Sequence, residues 1–398
     1  MDLTIHPGKL HGTVAAIPSK SQAHRLLICA AFADAPTTLV CPDTNQDIEA
    51  TVDCLNALGA EISRTSDGYE IIPIGQPPKS ATLNCRESGS TLRFLLPIAG
   101  ALGVDATFQM SGRLPQRPLS PLWEEMERMG CSLSRPTDRT ILCQGKLRSG
   151  NYEISGSVSS QFITGLLYAL SLLDGDSTLH VTGKIESRPY IEMTQQAMAR
   201  FGVDTSDHRI KGGQRFRSPG TLQVEGDWSN GAFFLAAWHL GNEITVTNLD
   251  GASSQGDRAV VDFLSQLEQH CVIDAAQTPD LVPILAVVAA AKQGAVFTNA
   301  GRLRLKETDR LETTAALIRN LGGQAEIQGD ELIVSGTGLT SGAVDAANDH
   351  RIAMAAGIAA TVCSGPVTIL QADSVRKSYP RFWEDYRRLG GHYEQHIR

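Results

Sequence analysis

The sequence predicts an α/β protein made of two similar lobes, and three observations lead to this prediction. Amphipathic helical patterns alternate with short β-like runs along all 398 residues. Several of these helical patterns end in an apolar residue followed by glycine, and these glycines recur about every 70 residues. Twelve helical patterns are present, six in each half of the chain. The order of elements is therefore typical of a repeated α/β architecture.

The twelve predicted helices have the apolar spacing of a helix that packs on one side against a core. They cover residues 21–33, 48–58, 90–102, 119–129, 160–173, 189–201, 229–240, 257–270, 281–292, 308–321, 351–362 and 379–389.

The glycine spacing indicates a structural repeat. Gly59, Gly130 and Gly202 lie 71 and 72 residues apart, and Gly322 and Gly390 lie 68 apart. A unit of about 70 residues holds two helices and several strands, so each half contains three units. The halves meet near Val224, before a new helical pattern. The alternative is an ordinary α/β protein whose glycine spacing is fortuitous.

Composition restricts the class of protein. A net charge of −8 argues against a broad nucleic-acid-binding surface. The eight cysteines have no metal-like spacing and are interpreted as reduced thiols in a cytoplasmic protein. The first residues, MDLTIHPGKLHG, lack an apolar signal core, and the longest apolar run, LVPILAVVAAA, is too short to span a bilayer.

The stretch RLRLKETDRL at 302–311 predicts an anion-binding helix start. Lys306 and Arg310 are four residues apart and share one helix face, and Glu307 lies between them. A helix N-terminus attracts anions, and nearby cations strengthen that attraction. The alternative interpretation is a solvated, salt-bridged surface.

Polar residues are concentrated at the starts of many other predicted helices. The sequences at these starts are PSKSQAHR (18–25), RESGSTLR (86–93), LPQRP (114–118), GSVSSQF (156–162), SRPY (187–190), TPD (278–280), NDHR (348–351) and SVRKSYP (374–380). Each alone is a common capping motif, and Asp280 in particular would serve as an N-cap. If these starts converge on a cleft between the lobes, they predict a pocket for a ligand with several negative charges.

Taken together, SKSQAHR, GSTLR, QRP, GSVSSQF, SRPY, KETDR, NDHR and KSYP resemble the 3-phosphoshikimate 1-carboxyvinyltransferase (5-enolpyruvylshikimate-3-phosphate synthase) family, from about residue 8 to 390. The resemblance implies an inverse α/β prism of two lobes, each with three βαββαβ repeats, and helix N-termini that face the interdomain cleft. It also implies that residues 1–18 and 225–398 form lobe 1 and residues 19–224 form lobe 2.

The resemblance implies a reaction and a set of site residues. The enolpyruvyl group of phosphoenolpyruvate is transferred to the 5-hydroxyl of 3-phosphoshikimate through a tetrahedral intermediate, in a cytoplasmic monomer without metal or organic cofactor. Asp280 is the expected base and Glu307 the expected acid, with Lys20 as the competing acid. The expected phosphoshikimate contacts are Lys20, Ser21, Arg25, Ser159, Ser160, Gln161, Ser187, Tyr190, Asp280 and Lys306. The expected phosphoenolpyruvate contacts are Lys20, Gly89, Arg93, Arg117, Gln161, Arg310, Arg351 and Lys377.

The chain differs from familiar members at two places. Glu87-Ser88-Gly89-Ser90 replaces Asn-Ala-Gly-Thr, and Arg302 stands where Asn is frequent. Gly89 is the same as in those members. A side chain at this position would crowd the inhibitor glyphosate, so the glycine favours some sensitivity to it.

Three other functions compete with this interpretation. UDP-N-acetylglucosamine 1-carboxyvinyltransferase shares the fold and the donor, but it uses a cysteine in the loop matching 111–120, which here reads SGRLPQRPLS. An RNA 3′-phosphate cyclase would need a nucleophilic histidine and a nucleotide pocket. A non-catalytic repeat scaffold would be expected to lack the acids and bases present here.

Overall fold

The computed structural model describes residues 1–396 and divides the chain into two compact units. Unit 1 contains Met1–Ile17 and the chain from Glu225 onward, and unit 2 contains Pro18–Val224. Each unit has its own hydrophobic core. The predicted lobes differ from this division only in the placement of residue 18.

Twelve α-helices occupy the described residues, six in each unit, and each overlaps one of the twelve predicted helical patterns. They are α1 (Lys20–Ala31), α2 (Gln46–Ala57), α3 (Gly89–Leu102), α4 (Leu122–Arg128), α5 (Ser160–Leu172), α6 (Arg188–Arg200), α7 (Trp228–His239), α8 (Val260–Gln266), α9 (Val282–Ala291), α10 (Arg310–Asn320), α11 (His350–Ala359) and α12 (Phe382–Arg388). Within residues 1–396, none of these helices is long and apolar enough to cross a membrane.

Twenty-one strands within the described residues form six sheets. They are β1 (Asp2–His6), β2 (His11–Ala15), β3 (Thr37–Val40), β4 (Glu61–Arg64), β5 (Gly68–Ile72), β6 (Ser80–Asn84), β7 (Asp105–Gln109), β8 (Cys131–Thr137), β9 (Thr140–Gly145), β10 (Asn151–Ser155), β11 (Ser177–Thr182), β12 (Arg209–Ile210), β13 (Thr221–Gln223), β14 (Glu243–Thr247), β15 (Cys271–Asp274), β16 (Gly294–Thr298), β17 (Gln324–Gln328), β18 (Glu331–Ser335), β19 (Gly342–Asp345), β20 (Val367–Leu370) and β21 (His392–His396).

The sheets repeat one topology, which confirms the predicted repeated α/β fold. In unit 2 the sheet β6-β7-β9-β8 has a parallel first pair and antiparallel pairs after it, and in unit 1 the sheet β15-β16-β18-β17 has the same order and directions. A helix connects the parallel strands, as a parallel pair requires. Every other sheet also contains one parallel pair.

The order of elements inside a repeat differs from the expected βαββαβ. A complete repeat, such as β6-α3-β7-α4-β8-β9, runs βαβαββ. The physical reason is the position of the third strand. The second helix carries the chain to the outer edge of the sheet, and a hairpin then returns the fourth strand to pair with the second.

Two repeats are completed by strands that are remote in sequence. β2 precedes α1 in the chain but pairs in parallel with β14, whereas β13 precedes α7 but pairs with β3. The chain leaves unit 1 after β2 and returns to it after β13. Each unit therefore contains three parallel pairs although the chain enters unit 1 twice.

The helices fall into two classes that alternate along the chain. The helix between the two parallel strands is almost entirely buried, as in α9, where nine of ten residues are buried. The second helix of a repeat buries one face, as in α6, where four of thirteen residues are buried. A helix that is apolar around its circumference belongs in a core. The polar residues of the buried helices are consequently concentrated at their first turns.

The glycines used to define the repeat end the second helices as predicted. Gly59, Gly130, Gly202, Gly322 and Gly390 all have positive φ, between 75° and 117°. Helix α8 is the exception, and its sequence has no glycine at that place. A positive φ is accessible to glycine without steric cost, so these residues stop the helix and turn the chain into the next strand.

Gly165 permits the close packing of α5 on α3 in unit 2. A Cβ built on Gly165 would lie 2.2 Å from the carbonyl oxygen of Arg93 and 3.0 Å from Cγ of Pro97. We expect Gly165→Ala to lower the free energy of unfolding by about 2 kcal/mol, because overpacking against backbone outweighs the gain in helix propensity of about 1 kcal/mol. Urea denaturation would measure the change.

Gly75→Ala is the matched control for this substitution. Gly75 also lies in unit 2, and no atom lies within 4 Å of the position that a Cβ would occupy there. An unfolding free energy for Gly165→Ala equal to that of the control would show that the two helices tolerate the added methyl group.

Candidate active site

Asp280 lies at the centre of a cluster of charged side chains in unit 1. It occupies a 3₁₀ turn, Pro279–Leu281, directly before α9. Its Oδ1 accepts a hydrogen bond from Arg310 Nη1 at 2.8 Å and forms an ion pair with Lys306 Nζ at 3.1 Å, and its Oδ2 accepts a hydrogen bond from Arg351 Nη2 at 3.2 Å. The carboxylate therefore binds three cations and does not cap α9, which has no side-chain cap.

Arg310 is the first residue of α10 and is only 1% exposed. Its Nε donates to Asp349 Oδ2 at 2.8 Å, and its Nη2 donates to Asp349 Oδ1 at 3.2 Å and to Glu307 Oε2. With the bond to Asp280, one guanidinium binds three carboxylates. These carboxylates raise the pKa of Arg310, although burial alone would lower it.

Asp349 holds this arrangement in place. It is completely buried and is the N-cap of α11, where it accepts a hydrogen bond from Arg351 N at 3.0 Å. It also accepts one from Thr308 Oγ1 at 3.1 Å. A charge at zero exposure requires partners that use its oxygens, and Asp349 has four donors. The start of α11 is thereby attached to the start of α10.

Lys377 lies beside this cluster and contacts the residue before Asp349. Lys377 ends the 3₁₀ helix Ala372–Lys377, is buried, and donates from Nζ to Asn348 O at 2.7 Å. Asn348 has a φ of 61°, in the left-handed region that non-glycine residues seldom adopt. Strained backbone of this kind is frequent at functional sites.

The cluster nearly balances its own charge. Burial opposes ionisation of Asp280, yet the positive charges of Arg351, Lys306 and Arg310 outweigh burial and hold the pKa of its carboxyl well below the ordinary value. Burial also lowers the pKa of Lys306, and the charge of Asp280 partly offsets that effect. An incoming anion therefore competes with the protein's own carboxylates for these cations.

In unit 2, the first turns of α3 and α5 form a second cluster. Arg93, which is 2% exposed, donates from Nη1 to Gln161 Oε1 at 2.9 Å and from Nη2 to Pro118 O at 3.1 Å. Gln161 in turn donates from Nε2 to Ser90 Oγ at 3.0 Å. The amide of Gln161 thus fixes the guanidinium of Arg93 relative to the start of α3.

Gly89, the first residue of α3, lies directly beneath two guanidinium groups. A Cβ built there would lie 2.5 Å from Arg93 Nη1 and 2.8 Å from Arg117 Nη1. Because Gly89 has no side chain, both cations approach the N-terminal turn of the helix, where the N–H groups are unused by the helix. This geometry suits a small anion such as a phosphate or carboxylate.

The first turn of α1 supplies further polar groups. Lys20 Nζ forms an ion pair with Asp47 Oδ2 at 2.9 Å. Arg25 is 2% exposed and donates to Thr194 Oγ1 at 2.8 Å, to Ser21 O at 2.7 Å and to Tyr190 O at 2.9 Å. Arg25 therefore attaches α1 to α6 in addition to any contact with a ligand.

The caps of the three helix starts expected to bind phosphoshikimate are also defined. Ser19 caps α1, because its Oγ accepts a hydrogen bond from Gln22 N. Ser159 caps α5 and accepts from Gln161 N at 3.3 Å, and Ser160 beside it is buried. Ser187 precedes α6 with a φ of 55°. Ser21 is left partly exposed on its helix.

Each predicted site residue lies in one of these clusters, within its own unit. The unit 1 residues are Asp280, Lys306, Glu307, Arg310, Arg351 and Lys377, which the hydrogen bonds above bring together around α9, α10 and α11. The unit 2 residues are Lys20, Ser21, Arg25, Gly89, Arg93, Arg117, Ser159, Ser160, Gln161, Ser187 and Tyr190, which lie at or near the starts of α1, α3, α5 and α6.

Sequence reasoning missed the carboxylates that hold these cations. Asp47 and Asp349 were not among the expected site residues, although Asp349 lies inside the NDHR motif. An acidic residue in a first helical turn is common for reasons of capping and dipole alone. No signal in the sequence distinguishes such a residue from one that orients a site cation.

Comparison with known proteins agrees with the geometry. The family model for EPSP synthase (3-phosphoshikimate 1-carboxyvinyltransferase) matches residues 5–278 and 269–386. The chain is 39% identical to the 3-phosphoshikimate 1-carboxyvinyltransferase of Clostridium kluyveri, over 99% of this chain and 98% of that protein. It is 38% identical to the protein of the same name from Clostridium acetobutylicum, over 97% of each chain.

The fold is also that of a solved structure. The EPSP synthase of Acinetobacter baumannii superposes with a TM-score of 0.80 at 22% identity, over 99% of this chain and all of that one. Fold, coverage and charged helix starts together define an α/β transferase with two repeated units. Within that class, the chain belongs to the EPSP synthase family.

Asp257 is a further buried carboxyl group in unit 1, and the charge of Asp280 affects its pKa. It lies in the 3₁₀ helix Gly256–Ala259 and is 4% exposed. Burial, followed by the negative charge of Asp280, raises its pKa to about 6. Since the folded state binds this proton more tightly than the unfolded chain, Asp257 favours folding at low pH, and its contribution is lost as pH rises through about 6.

We expect the unfolding free energy of the wild type, relative to that of Asp257→Asn, to fall by on the order of 2 kcal/mol between pH 4 and pH 7. Asparagine mimics the protonated carboxyl and does not titrate, so the difference isolates this group. Chemical denaturation at several pH values would measure it. A difference that is constant across this range would contradict the raised pKa.

Proposed function

We propose that this protein transfers the enolpyruvyl group of phosphoenolpyruvate to the 5-hydroxyl of 3-phosphoshikimate and releases phosphate. The observation that carries the proposal is the cluster at Asp280, where this partly buried carboxylate and Glu307 share one guanidinium, that of Arg310. Acid, base and anion-binding cations are thus joined by direct hydrogen bonds. Membership of the EPSP synthase family supplies the identity of the substrates.

The proposed reaction has two steps. In the addition, the 5-hydroxyl oxygen bonds to C2 of phosphoenolpyruvate, its proton is removed, and C3 gains a proton to become a methyl group. In the elimination, the bond from C2 to the phosphate oxygen breaks, and C3 loses a proton to restore the double bond. Phosphate is the leaving group, and neither step changes an oxidation state that would require a cofactor.

Asp280 is the proposed general base. Its depressed pKa keeps it ionised and ready to accept a proton, but it also makes the free carboxylate a weak base. The carboxylate and phosphate groups of the substrates would compete for Arg351, Arg310 and Lys306. Weakening these ion pairs raises the proton affinity of Asp280 when the hydroxyl is in place.

Glu307 is the proposed general acid, and Lys20 is the competing candidate. Glu307 accepts a hydrogen bond from Arg310, and its side chain is 22% exposed. Its protonation requires nearby substrate anions to offset the positive charge of Arg310. Lys20 is held in an ion pair with Asp47.

The cations and helix starts of unit 2 are proposed to hold the substrates in place. Gly89, Arg93, Arg117 and Gln161 are assigned to phosphoenolpyruvate, and the serines of α5 and α6 to phosphoshikimate. Both substrates are polyanions, so fixed cations offset their mutual repulsion and align the reacting atoms. We regard the two units as the two predicted lobes of the enzyme.

We further propose a cytoplasmic monomer that uses neither metal nor organic cofactor. All eight cysteines carry free thiols, and seven of them are buried. A protein with many unpaired cysteines is suited to a reducing compartment.

The first test is phosphate release from phosphoenolpyruvate. We expect release with 3-phosphoshikimate and none above background with UDP-N-acetylglucosamine, because the loop at 111–120 lacks the cysteine that the nucleotide-sugar enzyme uses. Inorganic phosphate would be followed colorimetrically, with acceptor omitted as the blank. Release only with the nucleotide sugar would reject the proposed acceptor.

The second test concerns the acid. We expect Glu307→Gln to lower kcat by about 10²-fold or more, in the range typical of a general acid–base group. In deuterated water, the rate at which deuterium enters C3 should fall by the same factor, which mass spectrometry would follow. Glu312→Gln, which alters an exposed acid in the first turn of α10, is the control. Unchanged turnover and deuterium incorporation in Glu307→Gln would exclude this role.

A further inference from the structure

A chain of buried hydrogen bonds in unit 2 connects α1, α2 and the N-cap of α3. His24 Nδ1 lies 2.7 Å from Thr51 Oγ1, Thr51 Oγ1 lies 2.7 Å from Thr91 Oγ1, and Thr91 Oγ1 donates to Ser88 Oγ at 2.7 Å. All four side chains are at most 1% exposed. None of these four residues is among those assigned above to substrate.

The last hydrogen bond determines which group donates in each of the others. Because Thr91 donates its one hydroxyl proton in the bond to Ser88, it must accept a hydrogen bond from Thr51. Thr51 must then accept from His24, which places a proton on Nδ1 of the imidazole. Burial, with smaller contributions from the charges of Lys20 and Arg25, lowers the pKa of His24 well below 6.5. His24 is consequently a neutral donor that starts the chain.

The chain of hydrogen bonds ends on Ser88, the residue directly before α3. Ser88 is the N-cap, and its Oγ also accepts from Thr91 N at 3.3 Å. The next residue is Gly89, above which the guanidinium groups of Arg93 and Arg117 lie. A shift of this turn would displace its backbone N–H groups relative to the guanidinium groups that lie above Gly89.

Capping of α3 alone does not account for the chain. A serine N-cap needs only the bond from Thr91 N. Burying His24 and two threonine hydroxyls is costly, and among the described residues Nε2 of His24 has no hydrogen-bond partner. Apolar residues would fill the same space without that cost. What the hydroxyls add is a fixed orientation of Ser88 relative to α1 and α2.

We propose that His24 and Thr51 are positioning residues for phosphoenolpyruvate: through Thr91 and Ser88 they fix the first turn of α3, which binds an anionic group of this substrate. This inference rests on the proposed function, since it assigns the start of α3 to phosphoenolpyruvate. It predicts a selective effect, because phosphoshikimate is assigned to the starts of α1, α5 and α6.

Thr51→Val tests the inference. Valine has the shape of threonine, but it leaves the His24 donor and the Thr91 acceptor without their partner. We expect KM for phosphoenolpyruvate to rise about fivefold or more while KM for phosphoshikimate changes less than about twofold, as a displaced anion contact predicts. Thr51→Ser restores the hydroxyl and should return KM for phosphoenolpyruvate to within about twofold of the wild type.

Ser171→Ala is the matched control. Ser171 is a completely buried hydroxyl of unit 2 that bonds only within its own helix, to Leu167 O at 2.8 Å. Its removal should lower stability slightly and leave both KM values unchanged. If Thr51→Val fails to fold, Thr91→Val breaks the next link of the chain and should produce the same selective rise in KM.

The outcomes separate this inference from the proposed function. A wild type that releases no phosphate from the two substrates refutes the function itself. An active wild type in which a folded Thr51→Val or Thr91→Val keeps its KM for phosphoenolpyruvate refutes only the positioning role. Equal rises of both KM values, or no rescue by Thr51→Ser, would also refute it, because these results indicate a general loss of structure.

Discussion

The unit 1 site depends on one interaction, the burial of the Arg310 guanidinium against three carboxylates. A cation at 1% exposure is tolerated only when its donors are bonded, and removing one partner would leave an uncompensated charge. Asp280, Glu307 and Asp349 provide these partners. Two of the three are the proposed base and acid. The groups proposed for proton transfer therefore also stabilise the folded structure.

This dual role explains why the site is nearly neutral before substrate binds. Free cations at several helix starts would repel one another, and the carboxylates of the protein remove that repulsion. The substrates carry the same kinds of group, carboxylate and phosphate, and so can replace the protein's acids at the cations. Each replacement raises the proton affinity of an acid that loses its partner. In this way substrate binding can change acid–base properties without any large movement within unit 1.

Much of the fold could be predicted because its signals are local. Apolar periodicity located all twelve helices, and glycines such as Gly59 and Gly130 marked the ends of helices at regular intervals. The order of strands was predicted less well, since pairing depends on contacts that are remote in sequence. The exchange by which β2 pairs with β14, and β13 with β3, has no signature in the run of residues. The partners of cations were missed for the same reason: Asp349 looks like an ordinary N-cap until α10 is placed beside it.

The two units hold the starts of their helices in place with different kinds of interaction. In unit 1 the first turns of α10 and α11 are connected by ion pairs, whose strength depends on every charge nearby. In unit 2 the start of α3 is connected to α1 and α2 by neutral hydroxyl and imidazole groups. Neutral hydrogen bonds respond little to the arrival of an anion, because no net charge is redistributed. The charged network is therefore suited to proton transfer that follows substrate binding, whereas the neutral chain is suited to holding an anion-binding turn in one position throughout the reaction.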